Sequence, residues 1–211
     1  MASYRGHLTF SGLLGAGYGS LALLEWNWDW GPVVVAAGLT TLGGLLPDLD
    51  SDSGVPVREM FGLSAAVAPF LLFRQVYVYC RQSTEQTLVI LGAIYLIIRY
   101  FLSQMFKHFT VHRGMFHSVP AMLIAGLATY LLYPSDDARL RTFLAVGVML
   151  GFFSHLILDE LYSVDFMGVR LHLNKYAGSA VKFYSKSWFA TLTTYLLLAF
   201  LVWRVWLIGP R

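Results

Sequence analysis

Four clusters of histidine and aspartate carry the residue types that could do chemistry in this sequence. His155-Leu-Ile-Leu-Asp159 sets an imidazole and a carboxylate at i and i+4. On a helix the two stack on one face and can ligate one cation, as paired residues do in helical metal sites. The plainer alternative is a helix-terminal His beside an exposed Asp. Leu46-Pro47-Asp48-Leu49-Asp50-Ser51-Asp52-Ser53-Gly54 ends an apolar stretch. Proline stops the helix there, and alternate aspartates in an extended turn can point two carboxylates the same way, a donor set suited to divalent cations. Its alternative is a solvated loop of Asx turns. In His112-Arg113-Gly114-Met115-Phe116-His117-Ser118 the imidazoles stand five residues apart, about 140° of helical rotation, so Gly114 must let His112 sit in a loop while His117 occupies the first helical turn. Arg113 between them can stabilise a phosphate or other oxyanion, although the segment also suits a basic interfacial anchor. His7 precedes the first apolar stretch and gains interest only from the company of the others.

Composition says what must position these groups. The 211 residues are 57% hydrophobic and 13% charged, with a mean hydropathy of +0.60. A soluble domain is about 25% charged, so this chain is too apolar for a water-facing shell. A disordered chain, a disulfide-stapled secreted domain and an ordinary soluble globule are excluded. The net charge of +3 is spread over short loops and gives no reason to expect nucleic acid as a partner. The lone Cys80 permits no intrachain disulfide. No basic region precedes the glycine-rich first stretch, so a cleavable leader is not expected.

Seven apolar stretches run about Leu8–Leu24, Pro32–Leu46, Met60–Tyr79, Thr87–Phe106, Met115–Tyr133, Thr142–Leu158 and Trp188–Ile208. A bilayer crossing takes about 20 residues, and the second stretch is short enough to be tilted or re-entrant. The expected fold is an all-α, polytopic membrane helical bundle of six to seven hydrophobic helices forming a single membrane-embedded domain, 1–211. Trp26, Trp28 and Trp30 suit the headgroup level; Gly12, Gly15, Gly19, Gly43 and Gly44 suit close helix approach. If all seven stretches cross, His7, His108, His112, His117, His155 and His172 share one membrane face with Asp48, Asp50, Asp52, Asp159, Glu160 and Asp165, and the opposite face has no histidine. The basic residues favour that motif face, which by the positive-inside rule makes it cytoplasmic. Arg170, Lys175, Lys182 and Lys186 form a basic segment suited to anionic headgroups.

Gly6-His7-Leu8, Leu45-Leu46-Pro47-Asp48-Leu49-Asp50, His112-Arg113-Gly114-x-x-His117-Ser118 and Gly151-x-x-Ser154-His155-x-x-x-Asp159 occur in this fixed order. That order resembles the LexA-regulated, membrane-bound metal-dependent hydrolases of the YdjM type, over His7 to about Asp165. The resemblance implies metal ligation by His7, Asp48, Asp50, His112, His117, His155 and Asp159. Ser51 stands where some members carry His, so that Asp52 would replace a ligand, and Phe116 stands where Thr is frequent. A fainter likeness to zinc-dependent phospholipase C and P1-type nucleases points toward phosphoesters.

The expectation is therefore a hydrolase of the inner (plasma) membrane with one or two divalent ions, zinc first and manganese or magnesium as alternatives, at the membrane–water boundary. Its inner ligands would be His117, His155, Asp159, Asp48 and Asp50. Arg113 would be the oxyanion partner and Asp52 a spare base or ligand. The expected partners are the lipid bilayer and a phospholipid or other lipid phosphoester as substrate. The competing classes are a non-enzymatic metal or ion transporter and a structural membrane protein. Transporters place such groups near the bilayer midplane, whereas these cluster at helix ends.

Overall fold

The fold is that of a computed structural model, which describes residues 3–50, 55–105, 115–133, 135–162, 164–167, 170–173, 182–185 and 187–209. Asp52, His108, His112 and Arg113 lie outside the described residues, and for Asp50 and His172 only the backbone is described. The chain divides into two compact units, Met1–Asp48 with Arg113–Arg211, and Leu49–His112.

In the first unit, helices α1 (Tyr4–Glu25), α2 (Trp30–Gly43), α5 (Val119–Leu132), α6 (Ala138–Leu161) and α7 (Trp188–Ile208) follow the expected stretches. Serine hydroxyls start three of them: Ser3, Ser118 and Ser187 accept from the amides of Gly6, Ala121 and Ala190, satisfying amide donors that the helix leaves without a partner. Helix α2 packs between α1 and α6, and α5 packs on α6 and α7.

The packing is close because glycines face backbone. A Cβ on Gly15 would lie 2.5 Å from the Ala37 carbonyl oxygen, and one on Gly151 would lie 1.8 Å from that of Thr40. Only hydrogen fits at such distances, so α2 sits against both neighbours with its backbone nearly touching theirs. Ser11 Oγ straps α1 to α2 by donating to the carbonyls of His7 (2.7 Å) and Thr41 (3.1 Å). After α2 the chain turns through a 3-10 turn, Pro47–Asp50, where proline cannot continue the amide ladder.

In the second unit, α3 (Val55–Tyr79) packs on α4 (Thr84–Leu96). A π-turn over Ile97–Leu102 continues α4 toward Met105, giving an apolar span of Thr84–Met105. Arg99 lies in that turn and donates from Nη1 to the Arg58 carbonyl at 2.7 Å. Its charge inside an apolar helix is thereby tied to a neighbouring helix backbone rather than left in lipid.

The number of crossings is not settled by the helices. Among the described residues three helices are long and apolar enough to cross a membrane, Thr84–Met105, Ala138–Leu161 and Trp188–Ile208, so the six to seven crossings are not what the helices establish. Helices α2 and α5 have 14 residues each, about 21 Å at 1.5 Å per residue against a hydrocarbon core of about 30 Å. The helical expectation stands, with one departure among the described residues. A short antiparallel hairpin pairs β1 (Val164–Met167) with β2 (Arg170–Leu173), in a register that sets Asp165 opposite His172.

Candidate metal centre

Four chain segments bring their polar residues to one end of the first unit. His7 lies in the second turn of α1, Asp48 in the turn after α2, His117 just before α5, and His155 with Asp159 in the last two turns of α6. The up-and-down order of the helices produces this convergence: alternate ends of successive antiparallel helices share a side. His7 is 2% exposed, His117 5%, His155 1% and Asp159 4%, while the Asp48 side chain retains 19%.

The donor distances are short and similar. His155 Nε2 lies 3.5 Å from Asp48 Oδ1 and 3.6 Å from Asp159 Oδ2. His117 Nε2 lies 3.7 Å from Asp48 Oδ1 and 3.9 Å from Asp159 Oδ2. His7 Nε2 approaches the other Asp159 oxygen, Oδ1, at 3.2 Å. Two groups, His7 with Asp48 and His155, and His117 with His155 and Asp159, each gather their ligand atoms within 4.8 Å of one another.

The His155 ring is oriented by a backbone contact. Its Nδ1–H donates to the Gly44 carbonyl at 2.7 Å, which leaves Nε2 as the lone-pair nitrogen. That Nε2 is buried and makes no hydrogen bond. It faces carboxylate oxygens at distances beyond hydrogen-bond length, so acceptor confronts acceptor in a dry site. While His155 is neutral the arrangement is repulsive, and a proton on Nε2 or a cation between the groups relieves it. Ligand bonds of about 2.0–2.2 Å in a tetrahedron place the donors about 3.3–3.6 Å apart; His155 lies within that range of both carboxylates, at 3.5 and 3.6 Å, and His117 slightly beyond it, at 3.7 and 3.9 Å.

Burial by itself raises the pKa of the Asp48 carboxyl, but a hydrogen bond from His117 and the positive charge that His155, His7 and His117 carry when protonated outweigh it and hold the pKa below the usual carboxylate range. The Asp48 carboxyl is therefore ionised, the form in which it could bind a cation. His7 and His155 are stacked, with ring centroids 3.6 Å apart and planes 11° from parallel; His117 meets His155 edge-on at 5.4 Å.

Of the expected ligands, His7, Asp48, His117, His155 and Asp159 are brought together. Asp50 ends the same 3-10 turn as Asp48, whereas His112, with Arg113 and Asp52, falls outside the described residues. Two contributors were not anticipated. Gly44 supplies the carbonyl that sets the His155 tautomer, and a Cβ on Gly44 would lie 2.3 Å from Ser11 Cβ, so side-chain-free backbone is needed at that point. Ser118 caps α5 and its hydroxyl donates to the Met115 carbonyl, fixing the turn that presents His117. The adjacency of Gly43 and Gly44 and the placing of Gly151 four residues before His155 were the available signals for close backbone approach, but not for its hydrogen bond.

A family model described as YdjM inner membrane protein matches residues 1–209. No curated protein matches the chain at a significant level, and no solved structure does. The chain belongs to the YdjM family of inner membrane proteins, and its apolar helices are those of an integral membrane protein.

Proposed function

We propose that this YdjM-family membrane protein is a metal-dependent hydrolase acting on a phosphoester of lipid type at the membrane interface. The observation that carries the proposal is the set of four donors, Asp48 Oδ1, His117 Nε2, His155 Nε2 and Asp159 Oδ2, held 3.5–3.9 Å apart across the His–Asp pairs with the His155 lone pair already aimed inward. Mixed imidazole and carboxylate donors suit zinc first, with manganese and magnesium as alternatives. When bound there, a divalent ion would lower the pKa of a coordinated water toward neutrality and offset charge on a phosphoester. Asp48 is the most exposed of the four ligands, so substrate reaches the centre from its side.

Lipid is the favoured substrate class because of what borders the centre. The Val119 amide donates to the Lys182 carbonyl at 3.1 Å, clamping residues 182–185 beside the turn that carries His117, and Tyr195 Oη donates to the Phe183 carbonyl at 3.0 Å. This segment is well held, yet Phe183, Tyr184, Trp188 and Phe189 are 55–75% exposed. Fixed, outward-facing aromatic rings beside lysine suit the headgroup layer. The basic residues of the motif segments favour its facing the cytoplasm. A transporter would hold its ionisable groups near mid-bilayer, whereas these sit at helix ends.

The test is hydrolysis by the full-length protein in nanodiscs containing a phosphomonoester or phosphodiester lipid. Release of phosphate or headgroup, abolished by a chelator and by His117→Ala, is the expected result. Metal-loaded protein that hydrolyses neither lipid class, or His117→Ala with full activity, would overturn the proposal.

A further inference from the structure

We infer that His7 is not a ligand but a positioning residue, and that the described residues hold a single cation through Asp48, His117, His155 and Asp159; this rests on the metal site proposed above. The resemblance to the YdjM-type hydrolases implies seven ligands, and the sequence leaves one or two ions open. His112 and the Asp50 side chain lie outside the described residues; for the other five the geometry favours one ion. Both candidate donor groups use His155, and its Nδ1 is committed to the Gly44 carbonyl. One lone pair remains, and one lone pair binds one ion. The two groups therefore overlap in one centre around His155 rather than forming two simultaneous sites, and Asp48 Oδ1 reaches the second group through its 3.7 Å approach to His117 Nε2.

Asp159 sets the part that His7 plays. Its Oδ2 faces His155 and His117 at 3.6 and 3.9 Å, distances that an ion would bridge. Its Oδ1 faces His7 Nε2 at 3.2 Å, the shortest His–Asp approach in the cluster and within hydrogen-bond range. An Nε2–H of His7 donating to Oδ1 fixes the carboxylate plane and turns Oδ2 toward the ion, the relation by which outer-shell groups orient metal ligands. The His7 ring is itself fixed, face to face with His155 at 3.6 Å. Its backbone is strapped by Ser11, which also binds Thr41 of α2. Such support suits a group that orients its neighbour.

The experiment uses full-length protein in detergent, stripped of metal and titrated with cobalt(II), whose visible bands report its ligand set. Wild type takes one equivalent. His7→Gln keeps a side-chain N–H donor and takes one equivalent with bands at the wild-type positions and about 10–100-fold weaker affinity; His7→Ala binds more weakly still. His155→Gln and His117→Gln lose the equivalent or shift the bands. The inference is overturned if His7→Gln moves the bands as ligand loss does, if both His7 variants bind with wild-type affinity, or if wild type takes two equivalents. Wild type that takes up no cobalt would instead remove the metal site itself, so the two failures are distinguishable.

Discussion

The two ends of the first helical unit are built by the same helices and solve opposite problems. At one end Tyr18, Trp28 and Phe143 close on one another: Trp28 stacks on Phe143 with centroids 4.7 Å apart, Tyr18 stacks on it at 5.0 Å, and the Tyr18 hydroxyl donates to the Phe143 carbonyl at 3.0 Å. The nearby buried Arg141 is satisfied too. Its Nε donates to the Tyr130 carbonyl at 2.6 Å and its guanidinium lies 4.2 Å over the Tyr130 ring centroid. At the other end His155 Nε2 and the carboxylates meet acceptor to acceptor at 3.5–3.6 Å. One end is complete in itself, and at the other the donors face one another across a gap that a cation could fill. The difference teaches that α2, pressed between α1 and α6 by glycine contacts, stabilises the fold from the aromatic end and positions donors at the polar end.

Four perturbations break or sharpen this comparison. The largest effect is expected from the double variant His155→Ala, Asp159→Ala. Removing two of four donors should cost more than 100-fold in metal affinity, read by metal analysis after gel filtration, with little loss of thermal stability when both proteins are metal-free. Next, Phe143→Ala removes the ring on which Tyr18 and Trp28 stack and should cost on the order of 3 kcal/mol, read as a lower unfolding midpoint in detergent, while metal stoichiometry stays at the wild-type value. If Phe143→Ala empties the metal centre in folded protein, the two ends are not separable as described.

Acid supplies a smaller effect. Imidazoles bind metal only when neutral and protons compete with the ion for them, so affinity should fall progressively as the pH is lowered. Asp48 does not drive that fall. Its pKa is held below the ordinary value, so its ionised form is present above the usual carboxylate pKa of about 3.9, and its stabilising contribution is lost only as pH drops through the lowered value. Loss of metal first setting in below pH 4 would assign binding to carboxylates alone. The smallest change is Gly17→Ala, where an added Cβ meets nothing within 4 Å. It should stabilise α1 by up to about 1 kcal/mol and leave both ends intact, serving as a control for the crowded glycines.

The comparison also explains what was legible in the residues. The clustering of His7, Asp48, His117, His155 and Asp159 follows from helix order, because chain reversals at Trp26–Asp29 and around Tyr133 return alternate ends to one side; parity along the sequence is enough to see it. The i, i+4 spacing of His155 and Asp159 needed only helical geometry. The Gly44–His155 hydrogen bond was not legible, since every residue carries a carbonyl and only the close approach of α2 and α6 selects one. The role of His7 escaped for a related reason: residue type permits ligation and hydrogen bonding alike, and only the 3.2 Å contact to Oδ1 separates them. Apolar runs alone do not settle the number of spans, since α2 and α5 are apolar but 14 residues long. Cys80 sits in a loop that suggests an accessible thiol for topology labelling, yet it is buried, so labelling needs a cysteine introduced at an exposed position such as Tyr184.

The most direct measurement is the metal content of the full-length protein purified without added chelator, by elemental analysis against protein concentration. The expected result is one equivalent of a divalent transition metal, zinc foremost, absent from the His155→Ala, Asp159→Ala protein. Metal-free wild type that also fails to bind on titration, or a double variant that retains the full equivalent, would contradict the centre described here.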